Sequence, residues 1–207
     1  MPDWDDNYPL EAYNDLQQYI AGVETQQADA LGAWLIDRYH PASVVDVGCG
    51  PGIYLLPFKR AGVTVWGIDG APAAGAALDS SEFARCDFRD ILGAGQLFNS
   101  IEPYQQRLVL CIETAEHLPA YCAEPLIDWL CHLAAVVCFS AAAPGQGGTG
   151  HINCQPREYW RGLFAQRRYR MSTGEESLLR YLDTQPGIFD WLRNNLMLLE
   201  REQERIQ

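Results

Sequence analysis

Four groups of residues in this 207-residue chain have types and spacings suited to chemistry. The first is Asp46-Val47-Gly48-Cys49-Gly50-Pro51-Gly52, in which glycine recurs at alternate positions behind an acid. Glycine supplies positive φ and lets the backbone come close to a ligand, while unpaired N–H groups at a helix start favour an anionic one. The second is Asp69-Gly70, with Asp69 standing 19 residues after Gly50. An acid near that interval, at the end of the next strand, can accept both hydroxyls of a ribose. The third is Glu113-Thr114-Ala115-Glu116-His117. With a helix beginning after Glu113, Glu113, Glu116 and His117 occupy i, i+3 and i+4 and share one face. Two carboxylates and an imidazole suit a divalent cation such as Mg²⁺, Mn²⁺ or Zn²⁺. The alternative is a capping pair at a helix start, with His117 left as a general base whose ordinary pKa lies near neutral pH. The fourth is the glycine-rich run from Pro144 to Asn153, which carries His151 and Asn153.

Strands and helices in alternation must position these groups. Val44-Val45-Asp46-Val47, Val63 to Asp69 and Arg107 to Ile112 are continuous apolar runs, the pattern of parallel strands buried on both faces. Each ends where a chemical group begins, and open α/β sheets bind ligands at the carboxyl ends of their strands. Further strands are expected at Phe83–Phe88, Ala135–Ser140, Arg168–Met171 and Asn195–Glu200. Helices are expected at Ile53–Lys59, Ala71–Ser80, Gly95–Ile101, Leu126–Ala134, Pro156–Phe164 and Glu175–Tyr181, with one more helical turn at Ile188–Leu192. Apolar residues at helical spacing predict two helices before the first strand, one over Leu10 to Ile20 and one over Leu31 to Tyr39. The run from Pro144 to Asn153 follows the fifth strand and has the composition of a mobile lid.

Composition narrows the function. The chain is 48% hydrophobic and 20% charged, a globular balance, and its length suits one α/β domain: residues 1–40 as a helical extension and 41–207 as the core. A net charge of -12 repels polyanions, which argues against nucleic acid and anionic membranes as partners. Seven cysteines without a CxxC pair, several in apolar runs, together with an N-terminus lacking a basic and apolar leader, point to a reducing cytoplasm. No run of eighteen uncharged apolar residues suggests a membrane span.

The D-x-G-x-G-x-G turn resembles the first motif of the class I S-adenosylmethionine-dependent methyltransferases, and the similarity covers roughly Val44 to Glu200. The resemblance implies a Rossmann-like, doubly wound α/β fold whose seven-stranded sheet has the order 3-2-1-4-5-7-6 with the last strand antiparallel. It implies that Gly48, Gly50 and Gly52 hold the methionine part of S-adenosyl-L-methionine, with Asp46, Cys49 and Gly70 in the same cofactor-binding segments. Asp69 would then bind the ribose, Asp87 the adenine amino group, Phe88 the adenine through its N–H or ring, and Glu113 the cofactor edge. The E-x-x-E-H segment resembles that of metal-assisted O-methyltransferases of the ubiquinone pathway and of small-RNA termini. That implies Glu113, Glu116, His117 and His151 as metal ligands, or Glu116, His117 and His151 as catalytic groups. O-methylation of a small molecule is the expected activity. RNA ribose 2'-O-methylation, N- or C-methylation of a small molecule, and a catalytically silent cofactor-binding protein stay open beside it.

Overall fold

The computed structural model describes residues 23–71, 74–102 and 106–203. The helix expected over Leu10 to Ile20 lies outside them. Seven strands form one sheet: β1 (Ser43–Val47), β2 (Thr64–Asp69), β3 (Phe83–Arg85), β4 (Arg107–Ile112), β5 (Val136–Ser140), β6 (Tyr169–Met171) and β7 (Met197–Arg201). Their order is β3-β2-β1-β4-β5-β7-β6. The first five are parallel, and β7 runs antiparallel to both β5 and β6. The order and the reversed last strand are those expected.

The strands alternate side chains between two apolar layers, which explains why they read as unbroken hydrophobic runs. Val45, Val47, Val109, Cys111, Val137 and Phe139 face one layer. That layer is closed by α3 (Ile91–Ser100), α4 (Ala123–Leu133) and α5 (Arg157–Gln166). Val44, Val65, Leu108, Leu110, Cys138 and Leu198 face the other. It is closed by α1 (Thr25–Tyr39), α2 (Leu56–Arg60), α6 (Glu175–Asp183) and α7 (Asp190–Asn195).

Two expected elements differ. Ala71–Ser80 forms turns in its described part rather than a helix. Gly75 takes a positive φ, and its N–H donates to the Gly50 carbonyl at 2.8 Å while the Ala77 N–H donates to Pro51, so this alanine-rich segment is spent bracing the glycine turn. The segment after β4 is a single 3₁₀ turn, Ala115–His117, and not an α-helix. Leu118 and Pro119 follow it in extended conformation, because the residue before proline is driven out of the helical region. All seven cysteines are free, and all but Cys154 are buried. No described helix is long and apolar enough to cross a membrane.

Candidate active site

The chain leaves β1 through a turn that no other residue type would tolerate. Gly48, Gly50 and Gly52 have φ of 81°, 50° and 92°, the left-handed region that a Cβ disfavours. A Cβ on Gly48 would also overlap Thr114, and one on Gly52 would lie 2.8 Å from Leu78 Cγ. The turn is tied to the end of β2 by Asp69: Gly50 N–H donates to Asp69 Oδ2 at 2.9 Å and Ala71 N–H to Oδ1 at 2.7 Å. Burial raises the Asp69 pKa, and those two N–H groups pull it back. Each carboxylate oxygen still has a lone pair to offer. Gly70 lets the β2 exit approach the backbone of Cys86 and Asp87, where a Cβ would lie 2.9 Å from the Cys86 carbonyl oxygen. Asp46 sits beneath the turn, 1% exposed, with Oδ1 lacking any hydrogen-bond partner. Burial, and secondarily the charge of Asp69, push its carboxyl up to about 7. The Cys49 thiol is buried and its pKa is driven up by the same desolvation, so it is not a nucleophile.

On the side expected to meet adenine, the two residues have other engagements. Asp87 accepts the Arg89 guanidinium at 2.8 and 2.7 Å and the Arg89 N–H at 2.9 Å. The Phe88 ring is buried against Phe98 and Trp129, with ring centroids 6.2 and 6.5 Å away. The ring belongs to the core and is not available to a ligand, which corrects half of the expectation and leaves its backbone.

Glu113 and Glu116 take different partners because the turn between them is not α-helical, although their carboxylates stay close enough for each to feel the other. Glu113 has a φ of 47°, a conformation that costs a non-glycine residue of order 1–3 kcal/mol and persists only where surroundings enforce it. Its N–H donates to Ser140 Oγ and to the Ser140 carbonyl, each at 3.1 Å. Its carboxylate accepts Gln146 Nε2 at 2.8 Å and Asn195 Nδ2 at 3.1 Å. Asn195 also donates to Gln146 Oε1 at 2.8 Å, which closes a ring of three side chains.

Glu116 goes elsewhere. One ligand atom each from Glu116, His117 and His151 lies within 4.8 Å of the other two. Glu113, expected beside them, is not in that group. Glu116 is fully buried, and neither carboxylate oxygen makes a hydrogen bond of good geometry, although the Ala142 backbone and the Glu113 carboxylate lie close to it. Burial, then the Glu113 carboxylate, raise its pKa. His151 Nε2 stands 4.0 Å from Glu116 Oε1. The two imidazoles meet edge to face at 5.0 Å between centroids. Burial, and then His151, push His117 down to about 4, so it is neutral at physiological pH.

The glycine-rich loop does more than deliver His151. Its Ile152 and Asn153 N–H groups both donate to the Glu116 carbonyl at 2.9 Å. The Gly150 carbonyl lies 3.2 Å from His117 Nδ1 and the Gln146 carbonyl 3.4 Å from His151 Nδ1. A carbonyl can only accept, so in each ring Nδ1 is the nitrogen that carries a proton toward it. This is the arrangement by which an outer carbonyl orients a metal-ligating histidine.

Several residues at the site escaped the sequence reading. Gln146 and Asn195 are engaged with Glu113, but nothing local to either marks it. Glu24, at the start of α1, accepts Tyr54 Oη at 2.8 Å and Gln27 Nε2 at 3.3 Å; burial raises its pKa, and the charge of Glu113 adds to that. A partly buried polar triplet linking the helical extension to the segment after the glycine turn leaves no pattern in sequence.

No family model and no curated protein matches the sequence. The order of the sheet, its reversed seventh strand and the helices around it make the fold that of the Rossmann-like methyltransferases. Among solved structures, this chain is similar to an O-methyltransferase family protein from Burkholderia thailandensis, with a TM-score of 0.65 and 12% identity over 96% of this chain and 62% of that one. It thus spans less than two thirds of that protein's length. It is also similar to the magnesium protoporphyrin IX methyltransferase of Synechocystis with bound S-adenosylmethionine, at 0.58 and 18% over 95% and 85% of the two chains. A third is the sugar N-methyltransferase of a Streptoalloteichus species, at 0.63 and 14% over 92% and 93%.

Proposed function

We propose that this chain is an S-adenosylmethionine-dependent methyltransferase that methylates an oxygen of a small molecule, with a divalent ion held by Glu116, His117 and His151. The observation that carries the cofactor is the turn of three left-handed glycines whose Gly50 N–H is bound to Asp69. Its backbone is bare enough for close approach, and Asp69 keeps lone pairs for two ribose hydroxyls. A fold neighbour with bound S-adenosylmethionine supports the same reading. The cofactor supplies a methyl group already activated by its sulfonium, so the protein has chiefly to align the acceptor and take up its proton.

The metal rests on a separate observation. A fully buried carboxylate that makes no hydrogen bond of good geometry and lies beside a second carboxylate, Glu113, is costly unless something compensates it. A divalent ion would do so, and would lower the pKa of an acceptor hydroxyl. His117, neutral and with Nε2 as its acceptor nitrogen, suits either a ligand or a proton acceptor. N-methylation is the second reading, favoured by that neutral imidazole and by the sugar N-methyltransferase among the fold neighbours. A net charge of -12 weighs against RNA as the acceptor.

Calorimetric titration with S-adenosylhomocysteine tests the cofactor. Asp69→Ala removes an acceptor of two hydroxyls and should weaken binding about tenfold or more. Unchanged affinity would overturn the ribose assignment. A panel of hydroxyl and amine metabolites, read by S-adenosylhomocysteine release before and after chelation and on return of Mg²⁺, Mn²⁺ or Zn²⁺, tests acceptor and metal together.

A further inference from the structure

The segment Gly145-Gln146-Gly147-Gly148-Thr149-Gly150-His151 has glycines in excess of what a turn needs, and the structure gives them different work. Gly145 and Gly150 take positive φ, at 90° and 79°, and are required by the backbone. Gly147 and Gly148 do not. A Cβ on Gly147 would meet nothing within 4 Å. A Cβ on Gly148 would overlap the imidazole of His151, falling against Cε1 and Nε2 and 2.8 Å from Cδ2.

We propose that Gly148 is a positioning residue: its missing side chain is the seat in which the His151 ring lies, with the Gln146 carbonyl fixing Nδ1 and Nε2 turned toward Glu116. This rests on the reading of Glu116, His117 and His151 as the site's polar centre. The overlap involves only the far end of His151, and the backbone conformation of Gly148 is open to any residue. Alanine there costs the fold little and displaces the ring. A glycine kept for flexibility would behave otherwise, since Gly147→Ala and Gly148→Ala would then act alike. Gly147 is therefore a matched control one residue away.

The experiment compares Gly147→Ala, Gly148→Ala, His151→Ala and the Gly148→Ala/His151→Ala double variant in the full chain. The first readout is long-range ¹H–¹⁵N correlation of the histidine rings, which reports which nitrogen carries the proton, with thermal midpoints measured alongside. His151 should show the Nδ1–H form in the parent and in Gly147→Ala, and should lose that single form in Gly148→Ala with the midpoint held within about 2 °C. The second readout is Mn²⁺ and Zn²⁺ titration. Gly148→Ala should weaken binding about tenfold or more, and the double variant should be no weaker than His151→Ala, since the two substitutions remove the same ligand. A His151 signal and ion affinity in Gly148→Ala equal to those in Gly147→Ala would overturn the proposal. Neither readout needs methyl transfer. Failure of S-adenosylhomocysteine to bind would sink the methyltransferase reading while leaving the seat intact, and a parent that binds neither ion would leave the ring signal to decide.

Discussion

Glu113 and Glu116 are the same side chain three residues apart, yet their surroundings give them opposite work. Glu113 is met by the amides of Gln146 and Asn195, whereas Glu116 is enclosed with no hydrogen bond of good geometry at either oxygen. A ligand set of Glu116, His117 and His151, as proposed, separates two variants. Glu116→Gln should lower Zn²⁺ or Mn²⁺ affinity by about a hundredfold or more, since a ligand that loses its charge costs at least as much as an outer-shell partner. Glu113→Gln should leave ion affinity within about threefold. Titration of both by calorimetry checks this, and equal losses would return Glu113 to the ligand set. At Gly48 the constraint is steric as well as torsional. Gly48→Ala puts a Cβ into Thr114 at a φ of 81° and should cost about 2–4 kcal/mol of stability, measured by urea unfolding.

At the scale of elements, the loop after β5 and the short α7 are joined through Glu113, the first residue after β4. Asn195 at the end of α7 is 2% exposed and donates to both Glu113 and Gln146. Three parts of the chain more than 30 residues apart thereby fix one another. Gln146→Ala removes the loop's side of that ring without emptying a buried position. Amide exchange over Gln146 to Asn153 should become about tenfold faster, equivalent to about 1.4 kcal/mol of local stability, while α4 and β4 are unchanged. In the parent protein, adding S-adenosylhomocysteine with an acceptor should slow exchange in the same segment, as a closing lid requires.

Across the whole molecule, the carboxyl ends of β1, β2 and β4 gather Asp46, Asp69, Glu113 and Glu116 at one edge of the sheet. Desolvation holds Asp46 protonated up to about pH 7, against about 3.8 for its ordinary value. The sign follows from which state binds the proton. Between those values the folded chain keeps a proton that the unfolded chain has lost, so this group's contribution is full below about pH 4 and fades as pH rises to about 7. A shift of this size corresponds to about 4 kcal/mol at its limit. Urea midpoints should therefore fall between pH 4 and 7, and Asp46→Asn should flatten that fall. A parallel pH profile in the variant would show that Asp46 ionises freely.

The sequence by itself determined the periodicities and the special turns. Strands buried on both faces need unbroken apolar runs, so β1, β2, β4 and β5 were legible, and three alternating glycines behind a strand have few uses besides a tight turn open to a ligand. The sheet order came from resemblance, because pairing between strands is set by packing that no single segment encodes. The tertiary structure decided the chemistry after β4. Helical spacing predicted one face for Glu113, Glu116 and His117, but Pro119 stopped the helix after one 3₁₀ turn, and Glu113, in the left-handed region, is held by Gln146 and Asn195 while its carboxylate stays close to Glu116. It decided too that Ala71–Ser80 turns back to brace Gly50 and Pro51 instead of forming the helix its alanines favour. Propensity is worth tenths of a kcal/mol per residue, and satisfying the backbone carbonyls of the glycine turn outweighs it. Gly148 shows the same division: its identity is plain in the chain, but its use depends on where the ring of His151 comes to rest.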